Sequence, residues 1–235
     1  MSTLTLVRHG QATPFEDDTD RLSPLGERQA RVLGEFWRAR GVSFTEVWCG
    51  TLVRQTRTYE IARDALGEAL PNARFDERLS EYAADGILGH LAPRLAKESE
   101  AFGALMEASR TAMRGPERNR YFQRMLEALM AHWQTADDVP EGVESWSTFA
   151  DRTRRVFGDI LRAPGAARHV IVFTSGGVIG RAVQLALRAP DDAMLTLNWR
   201  VRNASLTTFT FSGPRLSLDE FNVTAHLPAD LVTYR

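Results

Sequence analysis

Residues 4–12 read LTLVRHGQA, and this stretch decides the fold. Its first half, residues 4–7, consists of leucine and β-branched residues, which is typical of a short buried strand. The strand pattern ends at the polar, glycine-bearing segment Arg8-His9-Gly10. Residues 23–41 then begin with a serine placed to cap a helix and a proline in its first turn, and apolar residues recur at helical spacing. The pattern therefore predicts a strand, a polar loop and a helix, in that order.

The same alternation continues along the chain. Residues 44–49 are expected to form a second strand, and residues 74–76 extend a third. Between them, residues 51–66 are expected to form a helix with Arg54 in its first turn. The most apolar run, HVIVFT at residues 169–174, predicts a strand buried on both faces, and a helix follows it. Because strands alternate with helices, we expect a parallel sheet with this apolar strand at its centre.

Two segments depart from this alternation of strands and helices. The stretch at about 88–136 is rich in Ala, Met, Glu and Arg with helical periodicity, which predicts a helical insertion. Residues 203–211 and 215–222 alternate around a Ser-Gly-Pro turn, which predicts a hairpin at the sheet edge. We therefore expect residues 1–235 to form one α/β domain, a three-layer α/β/α sandwich with a mostly parallel central sheet and this helical insertion.

The composition narrows the function classes. Lys and Arg number 29 against 30 Asp and Glu, so no global basic field favours nucleic acid or an anionic membrane as a partner. Cys49 is the only cysteine, and no Cys and His cluster has the spacing of a zinc site, so we expect neither a metal nor a cofactor. The chain starts without the pattern of a signal peptide and contains no long apolar run. We expect a cytoplasmic protein, and an exposed strand edge is compatible with a homodimer.

The candidate site follows from the predicted strand ends. In open parallel sheets, ligands bind beyond the carboxyl ends of the strands. The residues expected there are Arg8, His9, Arg54, Glu81, Ser175 and Gly176. A planar arginine fork matches phosphate oxygens, and the amides at a helix start favour an anion, so the pattern predicts a phosphate pocket. A neutral His9 could attack phosphorus in line, and the Glu81 carboxyl could protonate the leaving group.

Several of these segments resemble one known family. TLVRHGQA at residues 5–12, followed by LSPLGERQA at residues 22–30, is similar to the opening signature of the histidine phosphatase superfamily, which has the phosphoglycerate mutase-like fold. Four more segments resemble the same family, namely CGTLVRQTRTYEIA at 49–62, FDERLSEY at 75–82, EGVESWSTFADR at 141–152 and VIVFTSGGVIG at 170–180. The resemblance covers nearly the whole chain except the helical insertion, and the ordered set is far more specific than RHG alone.

The resemblance implies a function for each candidate residue. It makes His9 the phosphate-accepting nucleophile of a metal-free phosphoryl-transfer enzyme, with Glu81 as the general acid. It implies that Arg8 and Arg54 clamp the phosphate of a small phosphorylated substrate. Ser175 and the Gly176 amide would add secondary contacts, and Gln11 would either line the pocket mouth or face water.

The sequence departs from the family pattern at two positions. Ser175 stands where the family usually has a second histidine, and Phe15 lies near the position of a phosphate-binding asparagine. A serine hydroxyl donates one hydrogen bond but carries no charge. Loss of one preorganised donor costs on the order of a hundred- to a thousandfold in rate, so the substitution predicts weakened or re-specialised catalysis.

Four functions remain open from the sequence. A phosphomonoesterase acting through phospho-His9 is the leading hypothesis, and a mutase acting on a small phosphorylated metabolite is the nearest alternative. The change at Ser175 also allows a protein that binds phosphate without efficient turnover. A serine hydrolase built on Ser175 and His226 is the weakest alternative, because FTSGG lacks the G-x-S-x-G elbow.

Overall fold

The computed structural model describes residues 1–13, 20–67 and 70–234. The chain forms two compact units. The first contains Met1–Glu81 and Arg152–Arg235, and the second contains Tyr82–Asp151. The helical insertion expected at about 88–136 falls within the second unit.

A six-stranded sheet forms the centre of the first unit. Its strands are β1 (Ser2–Arg8), β2 (Glu46–Cys49), β3 (Ala73–Phe75), β4 (His169–Thr174), β5 (Leu206–Ser212) and β6 (Arg215–Val223). They lie in the order β3-β2-β4-β1-β5-β6. The first four strands run parallel, whereas β5 pairs antiparallel with β1 and with β6. The mostly parallel sheet, the central position of β4 and the hairpin at the edge are therefore confirmed.

The helices follow the predicted alternation. In chain order they are α1 (Pro24–Ala39), α2 (Val53–Leu66), α3 (Ala84–Gly86), α4 (Ala92–Glu98), α5 (Glu100–Ala112), α6 (Arg118–Thr135), α7 (Trp146–Arg162), α8 (Gly176–Leu187) and α9 (Asp192–Asn198). Several predicted boundaries were wrong by one to three residues, because β2 begins at Glu46 instead of residue 44 and β5 at Leu206 instead of residue 203. Helix α2 begins later than expected because Leu52 is extended, and β3 ends before Asp76, whose side chain accepts from the Arg78 amide to start a 3₁₀ turn.

Both faces of the sheet are covered, as the three-layer prediction requires. Helices α1 and α2 pack on one face through a cluster of buried side chains that includes Val7, Leu33, Trp37, Val47, Tyr59, Ile171 and Phe173. Leu4 and Leu6 alternate with Val7 along β1, point to the opposite face and are equally buried. Helix α8, which contacts β1 and β6, belongs to the layer on that face.

The second unit is helical. It contains α3, a π-helical turn at Ile87–Leu91, helices α4 to α6 and the first residues of α7. Its centre is an aromatic cluster formed by Tyr82, Trp133, Trp146 and Phe149. Trp133 is fully buried, and its Nε1 donates to the Glu144 carbonyl at 2.7 Å. Among the helices of the described ranges, none is long and apolar enough to cross a membrane.

Candidate active site

Two neighbouring strands bring His9 and Ser175 to the same edge of the sheet. In the parallel pair of β1 and β4, Arg8 lies opposite Thr174, and the His9 amide donates to the Thr174 carbonyl at 2.9 Å. His9 and Ser175 are the next residues in this register, so they leave their strands side by side. Both follow the carboxyl ends of central parallel strands, where open sheets bind ligands.

The imidazole of His9 is held in one tautomer. Its Nδ1 lies 2.7 Å from the Gly10 carbonyl oxygen, and since a carbonyl oxygen only accepts, Nδ1 carries the proton. Burial lowers the pKa of His9 well below its usual value of 6.5, and the positive charges of Arg54 and Arg8 lower it further. The ring is therefore neutral near pH 7 and keeps a lone pair on Nε2, the form required of a nucleophile.

The loop that carries His9 is fixed from two sides. The Gly10 amide donates to Thr58 Oγ1 at 3.0 Å, and this hydroxyl donates to the Arg54 carbonyl at 2.7 Å. From the other side, Asn203 Nδ2 donates to the His9 carbonyl at 3.4 Å. Thr58 thus connects the His9 loop directly to the helix that carries Arg54.

Gln11 extends the loop along the first turn of α1. The main-chain amide of Gln11 donates to Gln29 Oε1 at 2.8 Å, and the side-chain Oε1 of Gln11 accepts from Ser23 Oγ at 2.9 Å. Ser23 Oγ also accepts from the Gly26 amide at 3.1 Å, which confirms the predicted N-cap. An ideal Cβ on Gly26 would lie only 2.1 Å from the Gln11 carbonyl oxygen, so glycine permits this close approach. The Gln11 side chain is therefore engaged with the start of α1 at the edge of the site.

Arg54 lies in the first turn of α2, where a positive charge opposes the helix dipole. A carboxylate offsets this effect. Arg54 Nη1 donates to Asp20 Oδ1 at 2.7 Å, and the Val53 amide donates to Asp20 Oδ2 at 2.8 Å. The Arg54 and Asp20 side chains are 19% and 29% exposed, so solvent screens the pair in part. Arg54 is therefore paired with a partly exposed carboxylate at the start of α2.

Arg8 is held by main-chain oxygens. Its Nη1 donates to the carbonyls of Val201 and Tyr234, the latter at 2.8 Å. Its Nε lies 3.7 Å from the place where a Cβ on Gly176 would sit, so the guanidinium lies beside the first residue of α8. The same Cβ would lie 2.5 Å from Asn198 Oδ1. Glycine at this position therefore allows the Asn198 side chain to approach the start of α8.

Glu81 reaches the site from the segment that follows β3. Its Oε2 accepts from the Gly177 amide at 3.0 Å, in the first turn of α8. Its main chain is held by Arg152, which donates to the Glu81 carbonyl at 3.1 Å and to the Ser80 carbonyl at 2.8 Å. The carboxyl group thus lies at the same helix start as Gly176 and Arg8.

Ser175 is fully buried, and another side chain engages its hydroxyl. It occupies the N-cap position of α8 without capping an amide, and Gln55 Nε2 donates to Ser175 Oγ at 2.7 Å. The Gln55 amide also donates to the Leu79 carbonyl at 3.3 Å and accepts from the Leu52 amide at 3.2 Å. The hydroxyl oxygen of Ser175 is therefore engaged by a Gln55 side-chain amide that two main-chain groups hold in place.

His226 does not form the pair that a serine hydrolase needs. Its Nε2 lies 3.0 Å from the Ala204 carbonyl and donates to it, and burial lowers the pKa of His226 to about 4. The hydroxyl oxygen of Ser175 accepts from Gln55 Nε2. This geometry gives the serine hydrolase alternative no support.

The structure thus brings Arg8, His9, Arg54, Glu81, Ser175 and Gly176 to one sheet edge, with Gln11 on its border. Phe15, the second departure from the family pattern, lies outside the described residues. Within residues 1–13, 20–67 and 70–234, no group of three or more His, Cys, Asp or Glu side chains could hold a metal ion.

Sequence reasoning missed the residues that position this set. They are Asp20, Gln29, Gln55, Thr58, Arg152 and Asn203. One signal was present, because α2 has no acidic residue in its own first turn and Arg54 therefore needed an anion from elsewhere. The other five residues belong to no local sequence pattern that predicts their contacts.

A family model and a curated protein match this chain. The model, described as histidine phosphatase superfamily (branch 1), matches residues 4–130 and, in an overlapping segment, residues 84–224. The curated protein is a 2,3-bisphosphoglycerate-dependent phosphoglycerate mutase from Caulobacter sp. (strain K31), which is 35% identical over 96 residues. That alignment covers 38% of this chain and 40% of the mutase, so the match spans less than half of the relative's length.

Solved structures share the fold. The mycobacterial glucosyl-3-phosphoglycerate phosphatase in complex with VO3 has a TM-score of 0.61 at 21% identity, covering 95% of this chain and 100% of that one. A mutant phosphoserine phosphatase from Entamoeba histolytica in complex with phosphoserine has a TM-score of 0.62 at 17% identity, covering 97% and 100%. YhfR of Bacillus stearothermophilus has a TM-score of 0.64 at 21% identity, covering 96% and 99%.

Proposed function

Because the chain belongs to the histidine phosphatase superfamily (branch 1), we propose that it hydrolyses small phosphomonoesters through a phosphohistidine on His9, without a metal ion. The observation that carries the proposal is the state of His9. Its Nδ1 proton is fixed on the Gly10 carbonyl, and the pKa of the buried ring is held low beside Arg8 and Arg54. A neutral nucleophile between two cations is suited to attack a phosphate dianion.

The first half-reaction transfers the phosphoryl group to the enzyme. A bond forms between Nε2 of His9 and phosphorus while the ester oxygen leaves on the opposite side. The protonated carboxyl of Glu81 gives its proton to that oxygen, and the product alcohol departs. Arg8 and Arg54 offset the charge on the equatorial oxygens.

The second half-reaction returns the enzyme to its starting state. A water molecule attacks the phosphohistidine, and the Glu81 carboxylate takes one of its protons. Inorganic phosphate leaves, and His9 recovers its lone pair on Nε2. Glu81 thus acts first as an acid and then as a base, which a carboxyl group near the helix start of α8 could do.

The proposal is tested by replacing the nucleophile. Phosphate release from a panel of phosphomonoesters is measured in EDTA for the parent protein, His9→Ala and a control, His169→Ala. His169 is a matched control because its side chain is exposed at the amino end of β4. We expect turnover and acid-labile labelled protein in the parent and the control but not in His9→Ala. Turnover that survives in His9→Ala, or that disappears in EDTA, would contradict the proposal.

A second candidate function is phosphate binding without efficient turnover. It is favoured by the side chain of Ser175, which stands where the family usually has a second histidine. Ser175 is hydrogen-bonded to Gln55, and neither side chain carries a charge. Orthovanadate binding by the parent protein, without phosphate release from any ester, would support this candidate. A mutase would instead pass the phosphoryl group to a second hydroxyl of the bound product, so labelled phosphate would remain in the organic fraction.

A further inference from the structure

We propose that Tyr234 is a positioning residue for Arg8, and that residues 231–234 form a strap that orients the Arg8 guanidinium toward the phosphate. The inference rests on the proposed function, because it concerns the same phosphate site. Three sets of contacts among the described residues carry it.

The first set fixes the plane of the Arg8 guanidinium. The Tyr234 carbonyl accepts from Nη1 at 2.8 Å, and the Val201 carbonyl accepts from the same nitrogen. Because the guanidinium is planar, two acceptors on Nη1 fix the direction in which its other edge points. That edge carries Nε and lies beside Gly176. Both of these acceptors are main-chain carbonyls, whereas Arg54 donates to the Asp20 carboxylate.

The second set connects the strap to the loop that carries His9. Gln29 Nε2 donates to the Leu231 carbonyl at 2.7 Å and to Thr233 Oγ1 at 3.0 Å. Thr233 Oγ1 donates to Asn203 Oδ1 at 2.9 Å, and the Thr233 carbonyl accepts from the Asn203 amide at 2.9 Å. Gln29 and Asn203 are the same residues that hold the Gln11 amide and the His9 carbonyl. The strap thus supports the nucleophile loop as well as Arg8.

The third set anchors the Tyr234 side chain. The guanidinium carbons of Arg200 and Arg202 each lie 5.5 Å from its ring centroid, and Arg202 Nε donates to its hydroxyl at 3.3 Å. Tyr234 is 42% exposed, so its ring contributes little to the core. Its removal should therefore release the carbonyl from Arg8 without unfolding the protein.

The test is a double-mutant cycle on orthovanadate affinity and ester turnover. Tyr234→Ala removes the anchor, and Tyr234→Phe keeps the ring between the two arginines. Because a mobile arginine must be ordered when the anion binds, we expect Tyr234→Ala to raise the vanadate Kd and the KM roughly three- to tenfold. The kcat should change less, the thermal midpoint should stay constant, and Tyr234→Phe should remain within about twofold of the parent.

The second arm of the cycle uses Arg8→Lys, because an ammonium group presents no fixed planar edge. If Tyr234 acts through Arg8, adding Tyr234→Ala to Arg8→Lys should change the vanadate Kd by less than about twofold. Equal losses in the two backgrounds, or an unchanged Kd in Tyr234→Ala, would overturn the strap while leaving the phosphatase proposal intact. A parent protein that neither binds vanadate nor turns over an ester would overturn both.

Discussion

Replacing Gly26 with alanine tests the close contact between α1 and the loop that carries His9. An ideal Cβ at position 26 would lie 2.1 Å from the Gln11 carbonyl oxygen and 2.7 Å from the Gln11 nitrogen. Ordinary contacts of a Cβ begin at 3.4 Å, so the backbone of the loop or of the helix must move by more than about 1 Å. Because Gln11 is only two residues from His9, such a movement would also displace the proposed nucleophile.

Two opposing effects determine the size of the change. Alanine is favoured over glycine by up to about 1 kcal/mol in a helix, and less in the first turn. Overpacking against fixed backbone costs about 1–3 kcal/mol, and here both partners are main chain. We therefore expect Gly26→Ala to lower the free energy of unfolding by about 2 kcal/mol and to reduce ester turnover at least about tenfold.

Gly158 in α7 is a matched control for this experiment. The nearest atoms to a Cβ there belong to the end of the Arg162 side chain, at 2.7 Å, and that side chain is 66% exposed and can move away. Gly158→Ala should therefore raise the free energy of unfolding by up to about 1 kcal/mol and leave turnover unchanged. Urea unfolding followed by tryptophan fluorescence measures both variants. A Gly26→Ala protein as stable and active as the parent would refute the reasoning.

Three further predictions follow from the same contacts. The pKa of His226 is about 4 in the folded protein and about 6.5 when unfolded, so the unfolded state binds more protons as pH falls and the parent loses stability. Leucine does not titrate, so between pH 8 and pH 5 the free energy of unfolding of His226→Leu, measured in urea, should fall by about 2 kcal/mol less than that of the parent. Arg152→Met should slow alkyl phosphate hydrolysis more than that of 4-nitrophenyl phosphate, whose leaving group needs no proton from Glu81; equal slowing would argue against that role. In Ser175→His alone, the imidazole should collide with the Gln55 amide, so this variant should gain no phosphatase activity. The double variant with Gln55→Ala has room for the imidazole and should turn over esters at least about tenfold faster than the parent, and a more active single variant would contradict this.

The features that sequence patterns predicted are local. The end of β1 at Arg8, the serine cap of α1 and the apolar strand β4 each depend on residues within a few positions of one another. Because the carboxyl ends of parallel strands share one edge, these local patterns also located His9 and Ser175 together. The resemblance to a family added the expected functions of Arg54 and Glu81.

The features that sequence patterns missed depend on distant pairs. Asp20 and Arg54 are 34 residues apart, Gln55 and Ser175 are 120 apart, and Arg8 and Tyr234 are 226 apart. No periodicity connects such positions, because each contact exists only after the sheet has brought its strand ends together. The position of His9 at the sheet edge could therefore be predicted from the sequence, while the side chains that contact its loop and the two arginines could not.

In the proposed mechanism, the change at Ser175 should act on the rate of the reaction more than on the binding of phosphate. Ser175 and Gln55 are both fully buried and are hydrogen-bonded to each other. The proposed binding of a ground-state phosphate uses the charges of Arg8 and Arg54, which both lie close enough to His9 to lower its pKa. A second histidine would act mainly on charge that develops in the transition state, and its loss should cost on the order of a hundredfold in kcat or more. Phosphate affinity should therefore be retained where turnover is reduced, so binding and hydrolysis have to be measured separately in this protein.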